Sequence, residues 1–195
     1  MQVLSDEKRE RILEAAGVLF ASKPYHKVLL SEVAAAASVG KGTIYLYFPD
    51  KDALYVAAVS KGFAEMLEHL RPFVTRGDTP PVLVLERIIR ELVGYGYKNP
   101  HLFELMRGEN GEEAGRKHCL RHRDEVRELV ETVLRRGVAM GQFHDPYPEI
   151  TARLIPGLVR SSFIFQPMPL NEEGLCNHIM QFVRGALRCK DARRF

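Results

Sequence analysis

The chain is predicted to be all-α. Apolar residues recur every three to four positions along almost every segment, no alternating apolar–polar run is bounded by tight hairpin turns, and clusters of Gly and Pro cut the sequence into helix-length pieces. Ser5 or Asp6 can cap a first helix with Glu7 and Glu10 in its opening turn, and Ile12, Ala15, Ala16, Leu19 and Phe20 make its apolar stripe. Ser22, Lys23 and Pro24 stop it. Short helices over 31–37 and 41–47 follow, joined by a turn at Ser38, Val39 and Gly40 and closed by Pro49 and Asp50.

From Lys51 the helices lengthen. Residues 51–73 are amphipathic through Leu54, Ala58, Met66, Leu67 and Leu70, and Pro72 is expected to mark the end of that helix. After a loop over 77–81, Pro81 suits the first position of a helix reaching about residue 98. Asn99 and Pro100 cap a short segment to about residue 107, which 108–111 break. Residues 112–140 form the longest periodic run, with Leu120, Val126, Leu129, Val130, Val133, Leu134 and Val138 inward. The last two helices, 148–165 and 171–188, are separated by Gln166, Pro167, Met168 and Pro169. The expected organisation is a three-helix head over 1–50, a helical bundle over 51–188 and a basic tail over 189–195.

Composition narrows the function classes. The 195 residues are 46% apolar and 27% charged, enough to fold as a globular protein rather than a disordered tail. The longest stretch free of Asp, Glu, Lys and Arg runs from Ser161 to Asn171, far short of the ~20 apolar residues that span a bilayer. The first residues are charged with no apolar run behind them, so no secretory signal is expected, and Cys119, Cys176 and Cys189 read as reduced thiols of a cytoplasmic protein. The net charge of +3 does not point to DNA: residues 1–55 hold seven bases and seven acids, and the whole excess lies in residues 188–195.

The case for nucleic acid rests on pattern instead. Residues 29–48 have the form of a helix-turn-helix, with Val33, Ala34, Val39, Ile44 and Phe48 packing inward with Phe20. The opposite face of the second helix is then Lys41, Gly42, Thr43, Tyr45, Leu46 and Tyr47. Small and hydroxylated residues at its start let the backbone approach DNA, and Tyr45 and Lys51 can reach phosphate oxygens. Periodicity alone equally describes a plain three-helix packing unit.

The strings FASKPY at 20–25 and VAAAASVGKGTIYLYFPDKDAL at 33–54 resemble the DNA-binding head of TetR-family transcriptional regulators, and the likeness covers residues 8–60. The resemblance implies a homodimer of about nine helices per subunit, in which a helical regulatory domain binds a small-molecule effector and releases the head from double-stranded operator DNA. Carried over by position, the DNA-contacting residues are Lys41, Gly42, Thr43, Tyr45, Tyr47 and Lys51. Three positions depart from the family pattern: Gly40 stands where Ser commonly caps the recognition helix, Leu29 where Thr commonly caps the preceding one, and Ser38 where the turn commonly has glycine. The likeness of 42–48 to regulators of fatty-acid metabolism and efflux implies a long apolar effector such as an acyl thioester.

In the bundle, Tyr95, Phe103, Met106, Arg107, Phe163 and Phe165 are the candidate effector-pocket residues, with Arg107 or Arg160 as an anionic anchor. Leu154, Leu158, Phe165, Leu175, Ile179, Phe182 and Val183 are the candidate dimer interface, the alternative being that they fill the protomer core. His118, Cys119 and His122 have metal-ligand spacing, but four neighbouring cations in 116–123 oppose a metal ion. No histidine has Glu three residues before it, as di-iron bundles require, and no GxSxG elbow or phosphate loop occurs. Neither catalysis, a cofactor nor a metal is expected; a partner-binding bundle is the alternative to a regulator.

Overall fold

The computed structural model describes residues 5–99, 113–164 and 170–188, with the backbone alone for 113–122. Among them there are eight α-helices and no strand: α1 (Asp6–Ser22), α2 (Leu30–Ala36), α3 (Lys41–Tyr47), α4 (Lys51–Thr75), α5 (Pro81–Lys98), α6 (Glu113–Ala139), α7 (Pro148–Ile164) and α8 (Glu172–Ala186). A single 3-10 turn at Tyr25–Lys27 links α1 to α2. The short segment expected over 100–107 and the basic tail over 189–195 lie outside the described residues.

Two compact units emerge, and neither is continuous in sequence. One comprises Met1–Glu65 with Lys98–His122, the other Met66–Tyr97 with Arg123–Phe195. The division thus falls inside α4 rather than at the end of the three short helices.

In the first unit α1 packs on α2 and α2 on α3. Ile12, Leu13, Ala16, Phe20, Val28, Val33, Ala34, Ala37, Ile44, Phe48, Leu54 and Ala58 are buried. The expected stripe of α1 is therefore shifted by a notch: Leu13 is buried, while Ala15 and Leu19 are half-buried. Lys61 of α4 reaches Glu10 and Glu14 of α1 and Glu65 of its own helix, fastening α4 along α1.

The turn that aims α3 is a Schellman closure. At the end of α2 the Val39 N–H donates to Ala34 O at 2.9 Å and the Ser38 N–H to Ala35 O at 3.1 Å, which places Ser38 in the left-handed region at φ 54°. The end of α6 makes the same crossing, Gln142 N–H to Gly137 O, with Gly141 at φ 66° in the left-handed place. Ser38 therefore holds a conformation that glycine adopts freely and L residues adopt at a cost of about 1 kcal/mol. Ser38→Gly should raise the thermal midpoint by about 2–4 °C. A melting curve unchanged or shifted downward would refute that strain.

α2 begins without a side-chain cap from Leu29, which has no acceptor and is exposed. Glu32 compensates: it accepts the Leu29 N–H at 3.1 Å and the Lys23 ammonium at 2.6 Å, tying α2 to the end of α1. The Lys23 hydrogen bond, helped by the Leu29 N–H, holds the Glu32 carboxyl below its ordinary 4.5. A carboxyl lowered in the folded state stabilises above the unfolded value and loses that contribution as pH falls through the folded one. Glu32→Gln should therefore lower the thermal midpoint at pH 7, with the gap to the parent closing below pH 4.5 as Glu32 protonates. Parallel curves across that range would show that the pair contributes nothing.

Pro72 does not end α4, which runs on to Thr75. Proline deletes only its own N–H bond to the preceding turn, and the Pro72 carbonyl still accepts from the Arg76 N–H at 3.1 Å. In the second unit the core is made by Leu67 and Leu70 of α4, Leu85, Ile88 and Ile89 of α5, Val130 and Leu134 of α6, Ile155 of α7 and the inner side of α8. Arg136 of α6 donates to the carbonyls of Val74 at 3.2 Å and Thr79 at 2.9 Å, holding the α4–α5 connection. Glu86 of α5 accepts from both Arg90 and Arg184 at 3.0 Å, joining α5 to α8.

Candidate functional site

α3 is a seven-residue helix with Gly40 as N-cap in extended backbone, and only Ile44 of its residues is fully inside; Phe48, just beyond its end, is buried too. That inward anchor dictates what faces out. Lys41, Gly42, Tyr45 and Leu46 are exposed, and Thr43 and Tyr47 are half-buried. Lys41 has no ion-pair partner among the described residues, so its charge is available to an anion. A Cβ built at Gly42 would find no atom within 4 Å outside its own helix backbone, so nothing in the protein requires the glycine there. Its smallness serves whatever approaches from outside.

The candidate residues are not all presented alike. Tyr47 accepts the Ser5 N–H at 2.9 Å and donates to the Ser5 carbonyl at 3.1 Å, so its hydroxyl clasps the start of α1. Position 47 precedes the buried Phe48 and shares the edge of the inward face, which is why it turns to the protein. Lys51, at the start of α4, stands over the Tyr25 ring with its Nζ 4.4 Å from the centroid. Burial there pushes its ammonium below the ordinary 10.5, against an opposing pull from Asp52. The Tyr25 hydroxyl in turn donates to Asp52, and its ring stacks on Phe20 at 5.8 Å and meets Tyr55 edge-on at 5.3 Å. A lysine already partly stripped of water and held over an aromatic face is preorganised for a phosphate.

In the second unit, Tyr95 and Arg160 are half-buried and Phe163 is buried, its ring against Gly96 and edge-on to Tyr97 at 5.4 Å. Gly96 thus marks a close approach of α5 to α7, while Gly94 faces Glu172 at the start of α8. Arg160 has no carboxylate partner among the described residues, and desolvation, with the Arg123 charge beside it, lowers its proton affinity. Phe103, Met106, Arg107 and Phe165 lie outside the described residues, as do the side chains of His118, Cys119 and His122.

The apolar residues of the last two helices divide. Leu175, Ile179 and Val183 share one side of α8 with Cys176 and Met180 and are consumed inside the protomer, so they do not present an outward face. Leu154 and Phe182 stand out with exposures of 59% and 60%, joined by Ile150, while Leu158 is half-buried. Spacing alone could not separate these, because both sides of α7 and α8 carry large apolar groups.

Comparison with known proteins decides the family. Residues 12–58 match the family described as bacterial regulatory proteins, tetR family, and residues 78–164 match the tetracyclin repressor-like C-terminal domain. The chain belongs to the TetR family. The TetR-family relatives include the transcriptional repressor KstR of Mycobacterium tuberculosis, 30% identical over 137 residues that cover 70% of this chain and 60% of that protein. Across the first curated relatives the aligned stretch covers from 25% to 60% of the relative's own length. Among solved structures, FadR of Bacillus subtilis in complex with stearoyl-CoA superposes with a TM-score of 0.74 at 16% identity, covering 90% of this chain and 97% of that one. The fatty acid degradation regulator FadR of Bacillus halodurans also gives 0.74, at 20% identity, covering 97% and 100%. These likenesses carry the TetR fold, and the matching families and relatives are transcriptional regulators rather than enzymes. No helix among the described residues is long and apolar enough to cross a membrane.

Proposed function

We propose that this TetR-family protein is a ligand-responsive repressor that acts in the cytoplasm on a pseudo-palindromic operator and is released from it by a small, largely apolar effector. The observation that carries the reading is the outward face of α3. Lys41, Gly42, Thr43 and Tyr45 are carried on this one short helix and the aromatic-held Lys51 follows at the start of α4, a mixture of small, hydroxylated and cationic groups that suits a major groove and its flanking phosphates. Two such helices in a homodimer would enter successive grooves ~34–36 Å apart. The outward Leu154 and Phe182 are the residues we assign to the dimer contact. Arg160, which has no carboxylate partner among the described residues, supports an effector with an acidic end, and stearoyl-CoA in the FadR structure is a compound of that kind.

The test is fluorescence anisotropy with duplexes from the protein's own promoter region, with and without the small molecules that copurify, identified by mass spectrometry. Binding should weaken at least about tenfold when the effector is present. Because the head carries as many acids as bases, log K should fall with log salt by about 0.9 per phosphate contacted, with fewer than about ten contacts. A protein that binds no such duplex, or whose binding ignores every copurifying compound, is not this repressor.

A further inference from the structure

The reading of α3 as a groove-entering helix leaves one outward side chain without a role. Ile44 and Phe48 fix the inward direction, and at 100° per residue the direction opposite them falls between Gly42 and Leu46, one turn apart on the same line. Leu46 is 55% exposed and Gly42 adds no side chain in front of it. The leucine therefore stands at the centre of the exposed face, with Thr43 on one side of it and Tyr45 on the other.

We propose that Leu46 is a specificity-determining residue that reads the C5 methyl group of a thymine in each half-site. This rests on α3 lying in the major groove. The chemistry leaves little choice of target there. Leucine has no donor or acceptor, and burying it against guanine N7 and O6 or the cytosine amino group would strip those atoms of water without replacing the bond. The thymine methyl is the apolar feature of the major-groove edge, so a T·A pair under Leu46 is favoured and a C·G pair is penalised. Gly42 contributes by letting the helix axis come close enough for a short branched side chain to reach the base.

The experiment selects the tightest duplex for the full-length chain from a random pool, then replaces each thymine in turn by deoxyuridine, which removes only the methyl. At one position per half-site the parent protein should lose affinity by about three- to five-fold, the weight of one buried methyl group. Leu46→Ala should bind the thymine and deoxyuridine duplexes equally at that position, and Leu46→Gln should shift its preference toward adenine. Thermal melts of both variants should match the parent, because the side chain touches no core. If the parent ignores every deoxyuridine, or if Leu46→Ala keeps the same methyl sensitivity, the assignment is wrong while DNA reading by α3 stands. If no duplex is retained from the pool, both fall together.

Discussion

Gly42→Ala should make the protein more stable and a worse DNA binder in the same step. Glycine inside a helix costs about 0.5–1 kcal/mol relative to alanine, and a Cβ at this position meets no neighbouring atom. The folded head accommodates the methyl, so the thermal midpoint should rise by about 1–4 °C. On DNA the same methyl stands at the centre of the outward face, where it holds the backbone of α3 off the groove floor. An affinity loss of at least about tenfold, equivalent to about 1.4 kcal/mol, is expected by anisotropy. Unchanged affinity would mean that α3 does not approach DNA along the line of Gly42. A lowered midpoint would mean that the glycine is a packing residue after all.

The second large effect is expected in the second unit. A Cβ added at Gly96 would lie 2.4 Å from two ring carbons of Phe163, inside any permissible contact. Gly96→Ala must push that ring out of a buried site, and overpacking of this kind costs about 1–3 kcal/mol. For a chain of this length the midpoint should drop by about 2–10 °C. The double variant Gly96→Ala with Phe163→Leu should recover part of the loss, since the smaller side chain yields the space. That non-additivity identifies the contact and not a general weakening of α5. Calorimetry showing Gly96→Ala as stable as the parent would place the ring elsewhere.

What could be read from the amino acids, and what could not, divides by distance along the chain. Ile12, Ala16, Phe20, Val33, Ala34, Ile44 and Phe48 announce themselves by local period, and all are buried. Lys41, Gly42, Thr43 and Tyr45 follow from the position of Ile44 on a single helix. Tyr47 and Ser5 are 42 residues apart, and Tyr25 and Asp52 are 27 apart, so no local pattern could join them. Pro72 misleads because a proline near the end of a long packed helix forfeits one hydrogen bond that tertiary burial of Leu70 and Val74 outweighs. Ser38 keeps the left-handed turn that its side chain disfavours, since two crossed hydrogen bonds at the end of α2 over-determine it. On α8 the outward Phe182 and the inward Val183 are neighbours in sequence, and only the packed helix tells them apart.

The clasp between Tyr47 and Ser5 has a practical consequence for handling the protein. Any peptide fused ahead of Met1 joins the chain four residues before Ser5, at most roughly 14 Å of extended backbone from the end of α3. A purification tag or fluorescent fusion on that side would emerge beside the recognition surface and compete for the space the operator needs. Reagents for measuring DNA affinity are better built with any such fusion removed before the measurement.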